Sequence, residues 1–366
     1  MQDTRTEFDI AVIGGGPAGT SAAITAARAG ARVALFDAGA FPRQKVCGEF
    51  VSAESIEVLR DLLWSCADTE SPFPDAPVID QTRLFLAGRL LKAPVSPPAL
   101  SIPRYVMDSR LWQAAKQAGV EAHAHCEVRG VQGDGLFRLD TNAGEVCASS
   151  VIVAAGRWSK FKPHTAIPSG PKWIGVKAHY RELNPPRSTD LYFFEHGYCG
   201  VQPVADDIVN ACAMVRSDCV TSLEDVFALH PALAERRRNW QAIMEPVTTA
   251  PLLYYAPQPV RANSMFVGDA AAFIDPFVGD GISIALRAGR LAAVHLGAFL
   301  DGTASLSCAV ASYQRDYAQQ FAPLIAAASR IRAALTWPKP VQRAAFELLR
   351  VPGAMSYVIR KTRRVA

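Results

Sequence analysis

The chain predicts an α/β fold with an α+β insert: a Rossmann-like sheet, a second, mostly antiparallel sheet, and a helical C-terminal tail. Three observations carry this. An apolar run, Ile10 to Ile13, enters the turn Gly14-Gly15-Gly16 and then an alanine-rich helix. From about Lys160 to Val260 the pattern turns mostly to strands. After Gly268-Asp269 helix dominates, with breaks at Trp337-Pro338 and Pro352-Gly353.

The first unit is the most specific. Gly14 permits a tight turn, Gly16 lets the backbone approach a ligand, and Gly19 lets the helix lie against the strand. Free N–H groups at the start of that helix suit a pyrophosphate. The helix runs from about Pro17 to Ala29 and stops at Gly30. A strand, Arg32 to Phe36, then delivers Asp37. At that distance past the turn, a carboxylate accepts a hydrogen bond from a ribose 2′-hydroxyl. An ordinary glycine-rich turn is the bland alternative.

Next come a helix over Ala53–Leu63, a loop over Cys66–Pro77, a strand over Arg83–Leu91 and a proline-rich connection over Pro94–Pro103. A helix over Met107–Ala118 ends at Gly119. Strands are expected at Ala122–Val131, Phe137–Thr141 and Val146–Ala155, the last closing on Gly156-Arg157. The middle region holds strands at Trp173–Tyr180, Asp190–Phe194 and Ile208–Val215, and a helical interlude at Ser222–Trp240. A last strand, Met265–Val267, precedes the helix Ile282–Phe299, opened by Gly279 and Gly281.

At 366 residues, half of them apolar, the chain can bury a large core. The polar N-terminus has no apolar signal core, and no run approaches the ~18 apolar residues of a membrane span. Eight scattered cysteines form no Cys-x-x-Cys pair, which suits a reducing cytoplasm and argues against a metal site. The net charge of +4 hides an asymmetry: residues 330–366 carry nine basic side chains against Glu347 alone. Such a tail is suited to an anionic membrane surface, a carrier or a partner protein, with a solvated helix face as the plainer reading. Nothing in the pattern suggests nucleic acid.

Three separated segments agree on a family. Besides the Gly14–Asp37 unit, Pro42-Arg43-Gln44-Lys45-Val46-Cys47-Gly48 looks like the Pro-Arg-x-Lys-x-Cys-Gly stretch of geranylgeranyl reductases, and Gly268-Asp269-Ala270-Ala271 is followed by Asp275-Pro276 and Gly279-Asp280-Gly281-Ile282. Over roughly residues 8–325 the chain resembles the flavoprotein superfamily of aromatic hydroxylases, flavin-dependent halogenases and geranylgeranyl reductases. The resemblance implies FAD as the held cofactor, with NAD(P)H as a transient reductant or acting through a partner reductase. It implies an FAD-binding domain from residues 1–48, 104–159 and 262–305, a substrate domain from 49–103 and 160–261, and a helical segment over 306–366.

The cofactor residues it implies near the N-terminus are Gly14, Gly16, Ala18, Gly19 and Asp37, then Arg43, Lys45, Cys47 and Gly48. Further along they are Arg104, Val128, Gly156, Gly268, Asp269, Pro276, Gly279, Gly281 and Ile282. Asp269 is expected on the ribityl chain, and the helix opened by Gly279 and Gly281 is expected to aim its positive end at the flavin ring. Cys47, His179 and Tyr198 are candidates for the substrate pocket, with a buried space-filling thiol and a structural histidine as the plainer readings of the first two.

The reaction divides three ways. Hydroxylation of a hydrophobic aromatic or polyketide-like substrate through a flavin hydroperoxide is the leading expectation. Reduction of isoprenoid double bonds follows, favoured by the Lys45–Gly48 match. Against it, the reductases' Tyr-x-Trp-x-Phe-Pro motif survives here only as Tyr198-Cys199-Gly200-Val201-Gln202-Pro203. The third reading is modification of a partner protein or carrier-bound substrate. Halogenation lacks its Trp-x-Trp-x-Ile-Pro stretch.

Overall fold

The computed structural model describes residues 7–64, 71–86, 88–158, 161, 172–249, 251–276 and 279–335, with 337, 338, 340, 341, 344 and 347. In chain order it opens with β1 (Phe8–Ile13), α1 (Pro17–Arg28), β2 (Val33–Phe36), β3 (Phe50–Val51) and α2 (Ala53–Leu63). The hairpin β4 (Val78–Leu86) and β5 (Arg89–Ser101) leads to α3 (Arg104–Gln117), β6 (Glu121–His123), β7 (Val128–Gln132), β8 (Phe137–Thr141) and β9 (Gly144–Val153). Then follow β10 (Trp173–Arg181), β11 (Ser188–Phe194), β12 (Gly197–Ala205), β13 (Ile208–Arg216), α4 (Leu223–Ala228) and α5 (Pro231–Arg237). Short strands β14 (Gln241–Ala242), β15 (Val247–Thr249), β16 (Val260–Arg261) and β17 (Ser264–Phe266) precede the long helices α6 (Gly281–Leu300) and α7 (Leu306–Leu335).

Two sheets result. The first has the order β16-β17-β9-β1-β2-β6, with β7 and β8 folded onto β9. Its β17-β9-β1-β2-β6 core is parallel, and Ile10–Ile13 are all buried, as a strand covered on both faces requires. The order reverses at β1, so the crevice beyond the ends of β1 and β9 is where an open α/β sheet takes a ligand. The second sheet runs β14-β10-β13-β12-β11-β4-β5-β3 and is antiparallel except where β11 lies along β4.

Helices α1 and α6 are locked together at close range. A Cβ on Gly289 would stand 2.1 Å from the Ala18 carbonyl oxygen, and the Ser21 hydroxyl donates to the Leu286 carbonyl at 2.7 Å. Tyr313, Tyr317 and Phe321 lie one turn apart on α7, all buried and edge-on to one another. Tyr313 donates to the Phe266 carbonyl at 2.7 Å, which fixes α7 on the first sheet. Helix α6 is long and apolar enough to cross a membrane, yet half of that stretch is buried in this core.

Several elements depart from expectation. The single strand over 83–91 is a hairpin turned at Gly88 (φ +76°). The proline-rich connection is β5: Ala93, Val95 and Ala99 point inward, while Pro94, Pro97 and Pro98 are exposed. Among the described residues, β5 pairs beyond β4 only through Leu100 and Ser101 with β3. An edge strand tolerates residues that have no N–H to donate. The strand over 122–131 is two, because His125 (φ +55°) bends the chain so that Cys126 N–H reaches the Asp37 carbonyl. The interlude at 222–240 is two short helices, the first opened by a capping box between Ser222 and Asp225, the second by Pro231. Strand β12 carries Tyr198 in the middle of the second sheet. The break at Pro352-Gly353 and most of the basic tail lie outside the described residues.

Candidate active site

A cavity of about 950 Å³ opens at the carboxyl ends of β1, β2 and β9 and continues under the second sheet. Its first half is a backbone cradle. Gly14 (φ +110°) turns the chain out of β1, and a Cβ there would meet the Ala154 carbonyl oxygen at 2.4 Å. A Cβ on Gly19 would come within 1.8 Å of the Gly14 oxygen, so that glycine lets α1 sit on the turn, and it does not itself line the cavity. Gly16 does line it. It precedes α1 with no side chain capping the helix, and a Cβ added there meets nothing within 4 Å. The free N–H groups and positive end of α1 therefore face open space. Gly48 and Gly156 stand in the cavity wall with the same unfilled space, beside Ala18 and Val128. Gly268 lies behind it, against Ala18 and Ala285.

Asp37 stands at the end of β2, but it is not idle. Its carboxylate accepts from Gly15 N–H (2.7 Å), from Gly39 N–H (2.8 Å) and from both arms of the Arg43 guanidinium. Four donors use the roughly four acceptor sites of a carboxylate. Burial pushes this carboxyl up, and Arg43 with the two N–H groups brings it net below its ordinary value. The sequence alone leaves Asp37 free for a ribose and Arg43 free for phosphates. The structure pairs them, and Arg43 is the one side chain among the four donors on Asp37. Arg104 is likewise engaged, bidentate to Asp108 at 2.8 and 2.7 Å. Lys45 has no hydrogen-bond or ion-pair partner among the described residues. Burial, then the charges of Arg43 and Arg104, hold its ammonium below the usual range.

Asp269 occupies a short turn after β17, faces the cavity and lies 3.7 Å from Arg157 Nε. Arg157 also stacks on Phe273, 4.4 Å from the ring centre. Pro276, Gly279, Gly281 and Ile282 line the same side. Asp280 is buried and immediately precedes α6. A carboxylate therefore stands at the helix end expected to offer a bare positive field.

The second half of the cavity is apolar, walled by Leu84, Leu191, Phe193, Met214 and Leu252, with Ile331 of α7 at one side. Its titratable groups are Tyr198 and Cys212, both pushed up mainly by burial and so held protonated. Where the halves meet lies the segment Lys45–Phe50. Cys47 faces the cavity there, and its carbonyl accepts from Asn210 Nδ2 at 2.9 Å.

His179 does not reach the cavity. Its Nε2 lies 2.8 Å from Glu49 Oε2, and both side chains are buried. Sequence reasoning passed over Glu49, Lys177 and Arg157. A lysine and a histidine two residues apart in an otherwise apolar strand were the available signal, because they share one face of β10. Glu49 also holds a left-handed backbone (φ +64°). That conformation costs about 1–3 kcal/mol and persists only where surroundings enforce it.

The cradle fits the cofactor implied by the sequence: uncapped helix N–H groups, three glycines opening onto empty space, and a carboxylate at a strand end. The comparisons agree. The FAD-dependent oxidoreductase family matches residues 103–293, more than half of the chain, and pyridine nucleotide-disulphide oxidoreductases match residues 8–61. The chain belongs to the FAD-dependent oxidoreductases and is an enzyme of that class. It is 27% identical to a menaquinone reductase of Mycolicibacterium smegmatis over 92% of this chain and 87% of that protein. It is 28% identical to a digeranylgeranylglycerophospholipid reductase of Methanosarcina mazei over 79% and 74%. In fold it matches the structure of a flavin-dependent brominase with a TM-score of 0.79, at 22% identity, over 97% of this chain and 93% of that one.

Proposed function

We propose that this enzyme reduces a carbon–carbon double bond in a hydrophobic, isoprenoid-type substrate. The observation that carries this reading is the chemistry of the apolar arm: Tyr198 and Cys212 line it and are held protonated by burial. A neutral phenol or thiol carries a proton it can give, and burial disfavours the anion, so neither serves as a base. Reduced FAD, held in the cradle by the helix N–H groups and glycines, would supply a hydride to one alkene carbon. Tyr198 or Cys212 gives the proton to the other, and the leucine, phenylalanine and methionine walls exclude water and hold an apolar chain. Hydroxylation, the leading expectation from sequence, is less well served, because an electron-rich phenol is activated by a base and these two groups are acids here. Two relatives named for reduction of isoprenoid lipids, and the Pro42–Gly48 stretch, support the same choice. The electrons come from NAD(P)H, visiting transiently, or from a partner reductase.

The test is anaerobic. The FAD-loaded enzyme is photoreduced and mixed with a lipid bearing a geranylgeranyl chain and no quinone ring. Reoxidation of the flavin without oxygen, and a product that has gained two hydrogens, is the expected result. Reoxidation only after air is admitted, with an oxygen atom in the product, would overturn the reading in favour of hydroxylation.

A further inference from the structure

One face of the second sheet carries four polar groups, of which the proposed reaction uses Cys212 alone. In the β10–β13 ladder Lys177 pairs with Cys212 and His179 with Asn210, so cross-strand register places all four side by side. Three of them hold the segment from Gln44 to Glu49. Lys177 Nζ donates to Gln44 Oε1 at 3.0 Å and also to Glu49 Oε1. His179 Nε2 bonds Glu49 Oε2, and Asn210 Nδ2 donates to the Cys47 carbonyl. From the other side Arg104 N–H donates to Glu49 Oε1 at 2.8 Å, and Ile102 N–H donates to the Glu49 carbonyl at 2.9 Å. The Glu49 N–H points at Cys47 Sγ, 3.3 Å away.

We infer that Glu49 is a positioning residue: its buried carboxylate, gripped by Lys177, His179 and the start of α3, sets where Cys47 and Gly48 stand in the cavity wall. Charged or titratable groups face it from each neighbouring element: Lys177 and His179 from β10, Arg104 with Asp108 behind it from α3, Cys212 from β13, and Cys47 from its own segment. Burial alone would drive the carboxyl up, but the His179 bond and the Lys177 charge more than offset that. Glu49 therefore stays ionised at neutral pH and acts as a fixed anchor rather than a proton carrier. The left-handed backbone at Glu49 has the same cause, since the partners from β10, β13 and α3 hold the segment where an unrestrained glutamate would not stay.

The experiment follows the Cys47 thiol, so its outcome is independent of the substrate. FAD-loaded enzyme is treated with iodoacetamide, and alkylation of the Cys47 peptide is timed by mass spectrometry, with the buried Cys126 and Cys199 peptides as internal standards. In E49Q an amide N–H₂ meets donors, the grip loosens, and the expected change is about tenfold faster labelling of Cys47. Labelling of the Cys126 and Cys199 peptides should be unchanged. H179F, which removes one donor and keeps the lysine pair, should give a smaller rise, and H179Q, which restores a donor, should return the rate to that of the unaltered chain. If E49Q does not fold, the H179F and H179Q pair decides. Cys47 labelling unchanged in the variants that fold, or faster in step with Cys126 and Cys199, overturns the inference.

Discussion

The two halves of the cavity are made of different material. The half at the first sheet is backbone: glycines, uncapped N–H groups and a strand-end carboxylate. The half under the second sheet is side chains brought in from β4, β11, β12 and β13, with α7 closing one side. A cradle of main chain suits a ligand that never changes, because few substitutions can be tolerated in it. A wall of side chains can be altered residue by residue without disturbing the fold, so it is the half where chemistry diverges among relatives of one architecture.

That contrast can be broken most severely at Gly19. Gly19→Ala forces a Cβ against the Gly14 carbonyl oxygen, far inside contact distance. A loss of about 3 kcal/mol or more is expected, read as a fall in thermal midpoint with little FAD retained. Gly16→Ala should separate folding from binding, because its Cβ enters empty space. Stability should hold within about 0.5 kcal/mol, as for substitutions that touch nothing. FAD affinity, followed by flavin fluorescence, should drop about a hundredfold. A retained affinity would mean that the cradle does not approach the ligand at Gly16. The side-chain half should respond in the opposite sense. Tyr198→Phe keeps FAD and stability, and turnover should fall about tenfold if Cys212 remains as a second donor.

The gentlest test is acid. Asp37 and Glu49 both have folded values below their ordinary 3.8 and 4.5. The stability they contribute is therefore fully present above those ordinary values and is lost as pH falls through the lower folded ones. Denaturant midpoints should be insensitive to these two groups down to about pH 4.5 and decline below it. Asp37→Asn and Glu49→Gln should each flatten that decline. An unchanged acid slope in both variants would show that neither carboxylate is held as described.

The same division explains what could be read in advance. Gly14, Gly16 and Asp37 announce themselves because a dinucleotide site demands a fixed local order of strand, turn, helix and acid. The Asp37–Arg43 pair was hidden, since two residues six apart in a loop carry no periodic signal for contact. Lys177, His179, Asn210 and Cys212 meet only through β10–β13 register, which no local pattern specifies. Glu49 directly follows a recognised motif, but its partners come from strand β10 and helix α3, far away in sequence. Prolines misled for a different reason: Pro94, Pro97 and Pro98 read as a connection because a strand paired on both sides excludes them, whereas β5, among the described residues, pairs on its far side only at Leu100 and Ser101.

Those three prolines also bear on how the enzyme behaves when concentrated. Prolines interrupt the row of amide hydrogens along β5, and because adjacent residues turn to opposite edges, at least one of the neighbours Pro97 and Pro98 leaves a gap on the open rim. Intermolecular sheet growth, the usual hazard of a long open margin, is thereby frustrated along that stretch. Replacing them with valine would lengthen the sticky margin, and self-association at high protein concentration is the consequence to look for.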